Sequence, residues 1–274
     1  MLMTVWKRHG LLFGASAVCV LANGSGTGPL WIAGVALLAL GGLLHWLLIR
    51  RQHPVPGRAP VPVAVPVTGR WTALNGPATK VPSHTHSHAQ TYAIDLVYAP
   101  GGGEAQGPPF ATAWPFGRRP EQFPTFGRPV LAPADGVVVA VEGRMRDHWS
   151  RTSLPGYGFL YLEGFLRGLG WPRHLWGNHV LLELGDGVVA GFAHLRRGSP
   201  AVAVGDRVRA GQRLGECGNS GNSSEPHLHF QLMDGPDPVT ARGVPFRWSY
   251  RDEASGTERS GVPEDAAVFS GVGA

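Results

Sequence analysis

Residues 30–49 read LWIAGVALLALGGLLHWLLI, with no charged side chain, and Arg50 and Arg51 close the run abruptly. A helix this apolar on every face is either fully buried in a core or crosses a bilayer, whose hydrocarbon layer needs about 20 such residues. The expectation is a span, with His45 as a polar residue near one interface. The stretch from Leu11 to Ala22 is apolar too, but shorter, and follows Lys7 and Arg8. Joined through NGSGTG, it would be the first arm of a helical hairpin. The other reading is a signal-peptide core, because Val20-Leu21-Ala22 resembles a small-residue cleavage site. Residues 1–52 are therefore expected to form an N-terminal transmembrane region, with the hairpin favoured and 30–49 the strongest span.

The next segment cannot continue a helix. Residues 53–67, HPVPGRAPVPVAVPV, alternate Pro with small or β-branched residues. Pro fixes its own φ and disfavours helix in the residue before it. A linker over 53–69 is expected, extended and semi-rigid, holding a domain off the membrane.

From residue 70 to 250 the pattern is β-rich. YAIDLVY, GVVVAVEG, NHVLLELGDGVVAGFAHL, RVRAGQRLGECG and HLHFQLM are short alternating or β-branched runs, separated by turn signals such as Ala134-Asp135-Gly136 and Gly185-Asp186-Gly187. Forty Gly and 24 Pro favour turns over long helices. An antiparallel sheet is expected, and the lack of regular helix–strand alternation argues against a doubly wound fold. Within it, residues 144–176 contain FLYLEGFLRGLGW, read as a helical insert that is a lid, a surface touching the membrane, or a packing on the sheet edge. The Gly/Ser/Glu-rich tail, 251–274, is expected to be flexible.

Composition excludes some chemistry. Cys19 and Cys217 are the only cysteines: the count excludes a Cys-based zinc site, and their places, one in an apolar segment and one far away in the C-terminal half, argue against a disulfide framework. Any metal must be held by His and carboxylates. The net charge is +5, but Lys and Arg never run beyond pairs, so no nucleic-acid partner is expected.

Residues 83–95, SHTHSHAQTYAID, place histidines at 84, 86 and 88 and an aspartate at 95. Downstream, PHLHF puts His227 and His229 two apart, on one face of a strand, and GFAHL supplies His194. Asp95 lies between apolar neighbours, where a carboxylate needs a cation or strong hydrogen bonds to offset desolvation. Zinc takes His nitrogen and carboxylate oxygen, and catalytic sites use three protein ligands plus an open position.

The order of these motifs, with VLAPADGVVVAVEG, GNHVLLELGDG and GECGNSGNSSEPHLHF, resembles the lysostaphin- or LytM-type zinc metallopeptidases of family M23 over roughly residues 72–235. The resemblance implies a mainly β, antiparallel LytM-like peptidase domain that cleaves peptide bonds of bacterial peptidoglycan. It implies one Zn2+ per chain held by an upstream His, Asp95 and His229, with His194 and His227 on the substrate side as catalytic residues. The sequence contains no H-E-x-x-H, so the base would be histidine. The family's usual His four residues before the Asp is Thr91 here. Among His84, His86 and His88, His84 is chosen, since it follows Pro-Ser and related variants carry their His at about this distance; the other two rings are then expected to be exposed.

A catalytically inactive, LytM-like binding or regulatory module is the alternative. Degenerate members are expected to lack ligands or flanking histidines, and this chain has all of them. Topology is contested: basic residues flank both outer ends of the hairpin, which by the positive-inside bias would leave the domain in the cytoplasm, whereas the implied substrate demands an extracytoplasmic domain on the bacterial cell membrane. The latter is the expectation.

Overall fold

The computed structural model describes residues 9–101, 107–168 and 172–271. Helix α1 (Gly10–Ala22) and helix α2 (Pro29–Arg51) form an antiparallel hairpin. Small residues set its spacing: a Cβ on Gly34 would lie 2.7 Å from Val20, and one on Gly41 3.2 Å from Phe13. Ser16 Oγ donates to the Gly34 carbonyl at 2.7 Å, and the rings of His9 and His45 meet at 3.0 Å. Close approach at Gly with an interhelical hydroxyl bond is how helices pack where apolar burial alone gives no drive. The outer faces stay apolar and open, with Leu38, Leu43 and Trp46 exposed, so α2 is not a core helix. It is the one helix among the described residues long and apolar enough to cross a membrane.

The domain is built on one twelve-stranded sheet. Its first strands are β1 (Val61–Pro62), β2 (Arg70–Leu74) and β3 (Ile94–Tyr98). A separate two-stranded ribbon pairs β4 (Pro129–Leu131) with β9 (Arg213–Glu216). Between them in sequence come β5 (Gly136–Glu142), β6 (Asn178–Gly185), β7 (Val188–Leu195) and β8 (Arg207–Val208). The C-terminal part supplies β10 (Leu228–Met233), β11 (Gly243–Val244), β12 (Phe246–Asp252), β13 (Glu258–Gly261) and β14 (Val268–Gly271). The order across the sheet is β1-β12-β14-β2-β3-β10-β7-β6-β5-β8. All described pairs are antiparallel except β1 with β12.

Strand β10 shows why the sequence folds this way. In HLHFQLM, Leu228, Phe230 and Leu232 are fully buried on one face, in a core with Phe192, Phe246 and Trp248. His229, Gln231 and Met233 share the other face, where Met233 packs with Trp176, Leu181 and Ala193.

Two expectations are corrected by the fold. The linker does not stand clear of the domain: β1 pairs with β12, and Val61, Val63, Val65 and Val67 pack on the core. Alternate β-branched residues made the run strand-competent despite its prolines. The C-terminal tail is not flexible over its described length, since β13 and β14 pair with β12, and β14 also with β2. The cause is Phe269, which is fully buried and stacks on Trp248 at 5.9 Å. Phe269→Ala is expected to destabilise the chain by about 3–5 kcal/mol, through lost burial and the cavity left behind; urea unfolding of the detergent-solubilised protein checks this.

The 144–176 insert contains α3 (Leu154–Gly168) and the short α4 (Pro172–Trp176). Rather than packing along the sheet edge, α3 presents Tyr157, Leu160 and Tyr161 to the cavity that holds the histidines. Glu163 of α3 pairs with Arg151 and Arg167, and Arg151 Nη1 donates to the Ser223 carbonyl at 3.0 Å. That latch ties the insert to the loop leading into β10.

Candidate metal centre

Three adjacent strands bring the predicted residues together. Asp95 on β3 lies directly opposite His229 on β10, and His229 lies opposite Ala193 on β7. Cross-strand partners share a face, so Asp95 and His229 point the same way, and His227 joins them by alternation. Strict alternation would send His194 to the other face. Its φ of 61°, unusual for a residue with a Cβ, breaks the pattern and brings its ring to 4.8 Å from His227 and 5.7 Å from His229. All four residues are buried, and the upstream His84 is half-buried.

His84 is the ring that reaches the cluster. Its Nε2 lies 3.1 Å from Asp95 Oδ2, while His229 Nδ1 lies 2.9 Å from Asp95 Oδ1. His86 instead bonds Thr91 Oγ1 at 3.0 Å and stacks on His53. His88 is not exposed, as expected from sequence, but buried. A left-handed turn at His88 and Ala89 redirects the chain there, and burial, with His45 and His9 nearby, pushes His88 down to about 4. Thr91, where the family's usual ligand would be, is buried and has only a hydroxyl to offer.

The hydrogen-bond partners fix which ring nitrogens carry protons, since a carbonyl can only accept. Gln231 Nε2 donates to the His88 carbonyl at 3.0 Å, so Gln231 Oε1 accepts from His229 Nε2–H, also at 3.0 Å. That leaves a lone pair on His229 Nδ1, aimed at a carboxylate oxygen. The Ser83 hydroxyl donates to the carbonyls of Gln90 and Thr91 and accepts from His84 Nδ1–H at 3.3 Å. His84 Nε2 then also points a lone pair at Asp95. Two imidazole acceptors facing one carboxylate are held together only by a proton or a cation. The separations match the roughly 3.3 Å edge of a tetrahedron with bonds of about 2.0 Å, so this donor set fits zinc.

The remaining rings face the same space differently. His194 Nδ1–H donates to the Ser220 carbonyl at 2.8 Å, and His227 Nδ1–H to the Glu225 carbonyl at 2.7 Å. Each presents Nε2 as an acceptor. His227 Nε2 stands 3.6 Å from Asp95 Oδ1. His194, His227 and His229 also form a second close group of donor atoms.

This packing sets the electrostatics. Burial alone would raise Asp95, but His84 and His227 with the His229 and His84 hydrogen bonds hold it well below the usual carboxylate range. Burial would lower His84, and the charge and hydrogen bond of Asp95 outweigh it, so His84 is raised. Burial, then His227 and His229, keep His194 well below the ordinary range and uncharged.

Sequence reasoning missed three supporting residues. Gln231 was findable, being two residues from His229 on the same face. Asn75, whose Nδ2 donates to Asp95 Oδ2 at 2.9 Å, and Gln52, whose amide bonds the His88 N–H, carry no local signal. Asn178, at the start of β6, is fully buried and bonds the Met145 and Leu195 carbonyls, a structural role. The cavity over the site has a volume of about 680 Å³ and is walled by α3 on one side and by His45 and Ile49 of α2 on another.

Residues 162–241 match the family model Peptidase family M23, a stretch that includes His194, His227 and His229 and begins after His84 and Asp95. The chain is similar to the glycyl-glycine endopeptidase ALE-1 of Staphylococcus capitis, 43% identical over 72 residues, covering 26% of this chain and 19% of that protein. It is similar to the peptidoglycan DD-endopeptidase ShyA of Vibrio cholerae, 37% identical over 65 residues, covering 24% of this chain and 15% of that one. The matched stretch thus spans less than a fifth of these relatives' own length. Among solved structures, the catalytic domain of the antimicrobial peptidase lysostaphin from Staphylococcus simulans aligns over 73% of this chain and 92% of that one, at 21% identity and a TM-score of 0.33. Within the sheet-borne domain, the family resemblance is thus to Peptidase family M23, carried by residues 162–241.

Proposed function

We propose that the chain is a membrane-anchored zinc metalloendopeptidase that hydrolyses peptide bonds of bacterial peptidoglycan. The observation that carries this reading is the pair of imidazole lone pairs, from His84 and His229, converging on the Asp95 carboxylate. The similarity to a glycyl-glycine endopeptidase and to a peptidoglycan DD-endopeptidase supports the substrate class.

In this reading His84, Asp95 and His229 hold the zinc. When bound, zinc supplies Lewis acidity for a scissile carbonyl and makes a water acidic enough to attack near neutral pH. The protein's own groups do the rest. His194, kept uncharged and anchored to the Ser220 carbonyl, orients the attacking water by accepting a hydrogen bond at Nε2. His227, anchored to the Glu225 carbonyl, accepts the water's proton at Nε2 and returns it to the leaving amine. Helix α3 walls one side of the cavity with Tyr157, Leu160 and Tyr161. The α1–α2 hairpin anchors the chain in the bacterial membrane, with the domain on the outer side where the wall lies.

The test uses full-length protein in detergent, incubated with purified peptidoglycan with and without a chelator. Chelator-sensitive release of new amino groups is expected. Stoichiometric zinc without any release would favour the inactive binding module instead.

Zinc must displace protons from its ligands, and this fixes the pH dependence. His84 is raised, so zinc affinity is expected to fall as the pH drops through that elevated value, and to level off above it. Asp95, held low, adds competition only at strongly acidic pH. In the metal-free protein the sign for folding is the opposite one for His84. Its stabilising pair with Asp95 is fully present below the unfolded value of 6.5 and lost as pH rises through the folded value. Competition titrations across pH, with thermal unfolding of the metal-free chain, check both.

A further inference from the structure

The end of α2 is built into the domain. Its cap residue, Gln52, is only 3% exposed. Gln52 Nε2 donates to the Pro238 carbonyl at 2.8 Å and to the Ala241 carbonyl at 3.4 Å, while Oε1 accepts from the His88 N–H at 3.3 Å. Beside it, Arg242 Nε donates to the Arg51 carbonyl at 2.9 Å. These bonds join residues far apart in sequence and seat the helix end next to the metal site.

His88 is the pivot. It and Ala89 both hold left-handed φ, at 57° and 60°. Such backbone persists only where its surroundings over-determine it. Here His88 is clamped on both sides. Gln52 takes its N–H, and Gln231 binds its carbonyl at 3.0 Å. Gln231 in turn receives His229 Nε2–H, which sets the tautomer that frees His229 Nδ1. An unbroken chain of hydrogen bonds therefore runs from the apolar helix to a metal ligand: Gln52, the His88 backbone, Gln231, His229. The helix also contributes His45 and Ile49 to the cavity wall.

We propose that Gln52 is a positioning residue for the metal centre: through the His88 backbone and Gln231 it fixes the direction of His229, making the docked apolar helix a working part of the site. This rests on the proposed zinc site. Outer partners of ligating histidines are worth about 10- to 100-fold in metal affinity, and Gln52 acts one step farther out, so the low end of that range is expected.

The experiment uses the full chain in detergent, stripped of metal and titrated with cobalt(II) against a competing chelator. Gln52→Met keeps the bulk of the side chain and removes its hydrogen bonds. Its affinity is expected to fall about tenfold, with an altered cobalt absorption spectrum, while the metal-free chain still melts cooperatively, at a somewhat lower temperature because the His88 N–H loses its partner. Gln231→Ala should weaken binding at least as much. In the Gln231→Ala background, Gln52→Met should add nothing, because the path is already cut. Affinity within about twofold of wild type for Gln52→Met, or an undiminished loss in the double variant, overturns the inference while leaving the metal site standing. A wild-type chain that binds no cobalt overturns the metal reading and this inference with it.

Discussion

The Asp95→Ala chain is expected to fold, to hold no zinc after dialysis, and to release no amino groups from peptidoglycan. Asp95 is the point on which the site converges, receiving His84, His229 and Asn75 within 3.1 Å. It is also the only carboxylate of the proposed ligand set, so its removal takes the negative charge that two neutral imidazoles cannot replace. Binding free energies of about 10–16 kcal/mol for four-ligand zinc sites give roughly 2.5–4 kcal/mol per ligand, a loss of about 10²- to 10³-fold in affinity. Asp95→Asn is the folding control, because it keeps the volume and an acceptor for Asn75 but not the charge. The same loss of zinc in both variants, by elemental analysis of folded protein, is the expected result. Zinc retained in Asp95→Asn would remove Asp95 from the ligand set.

His227→Ala is expected to behave differently: near-full zinc content with kcat lowered about 10²- to 10⁴-fold, the range for a lost general acid–base. The distinction matters because two groups of donor atoms lie close together, His84–Asp95–His229 and His194–His227–His229. The hydrogen bonds from Nδ1 to backbone carbonyls make His194 and His227 competent acceptors, and a metal could compete for the same lone pairs. If zinc disappears with His227 and survives without His84, the ligand assignment is the other triad. Measuring zinc content beside kcat separates the two results.

Much of the domain could be read from side-chain alternation. HLHFQLM announces a strand with a polar and an apolar face, and the isolated Asp in YAID announces a buried charge needing partners. Other features depend on relations that no local window carries. The choice among His84, His86 and His88 turns on a left-handed step at His88 and Ala89, which directs only one ring toward Asp95. The place of His194 depends on a single positive φ that overrides strand alternation. The tail looked unstructured because Gly, Ser and Glu dilute it, yet one aromatic residue, Phe269, packs beside Trp248 on a strand that joins the sheet. Gln52 ends a membrane-like helix and is legible only as a cap; its contacts lie 36 to 189 positions away in sequence.

The pairing of β1 with β12 also sets how far the domain can travel. Because residues 61–67 lie on the sheet and core, only residues 53–60 separate the helix end from the body of the domain. Even with Gln52 released and that segment pulled straight, it extends to about 28 Å at roughly 3.5 Å per residue. If the hairpin spans a bilayer as proposed, the histidine-lined cleft therefore stays close to it. Under the proposed function, the peptides within range are those of the wall nearest the membrane.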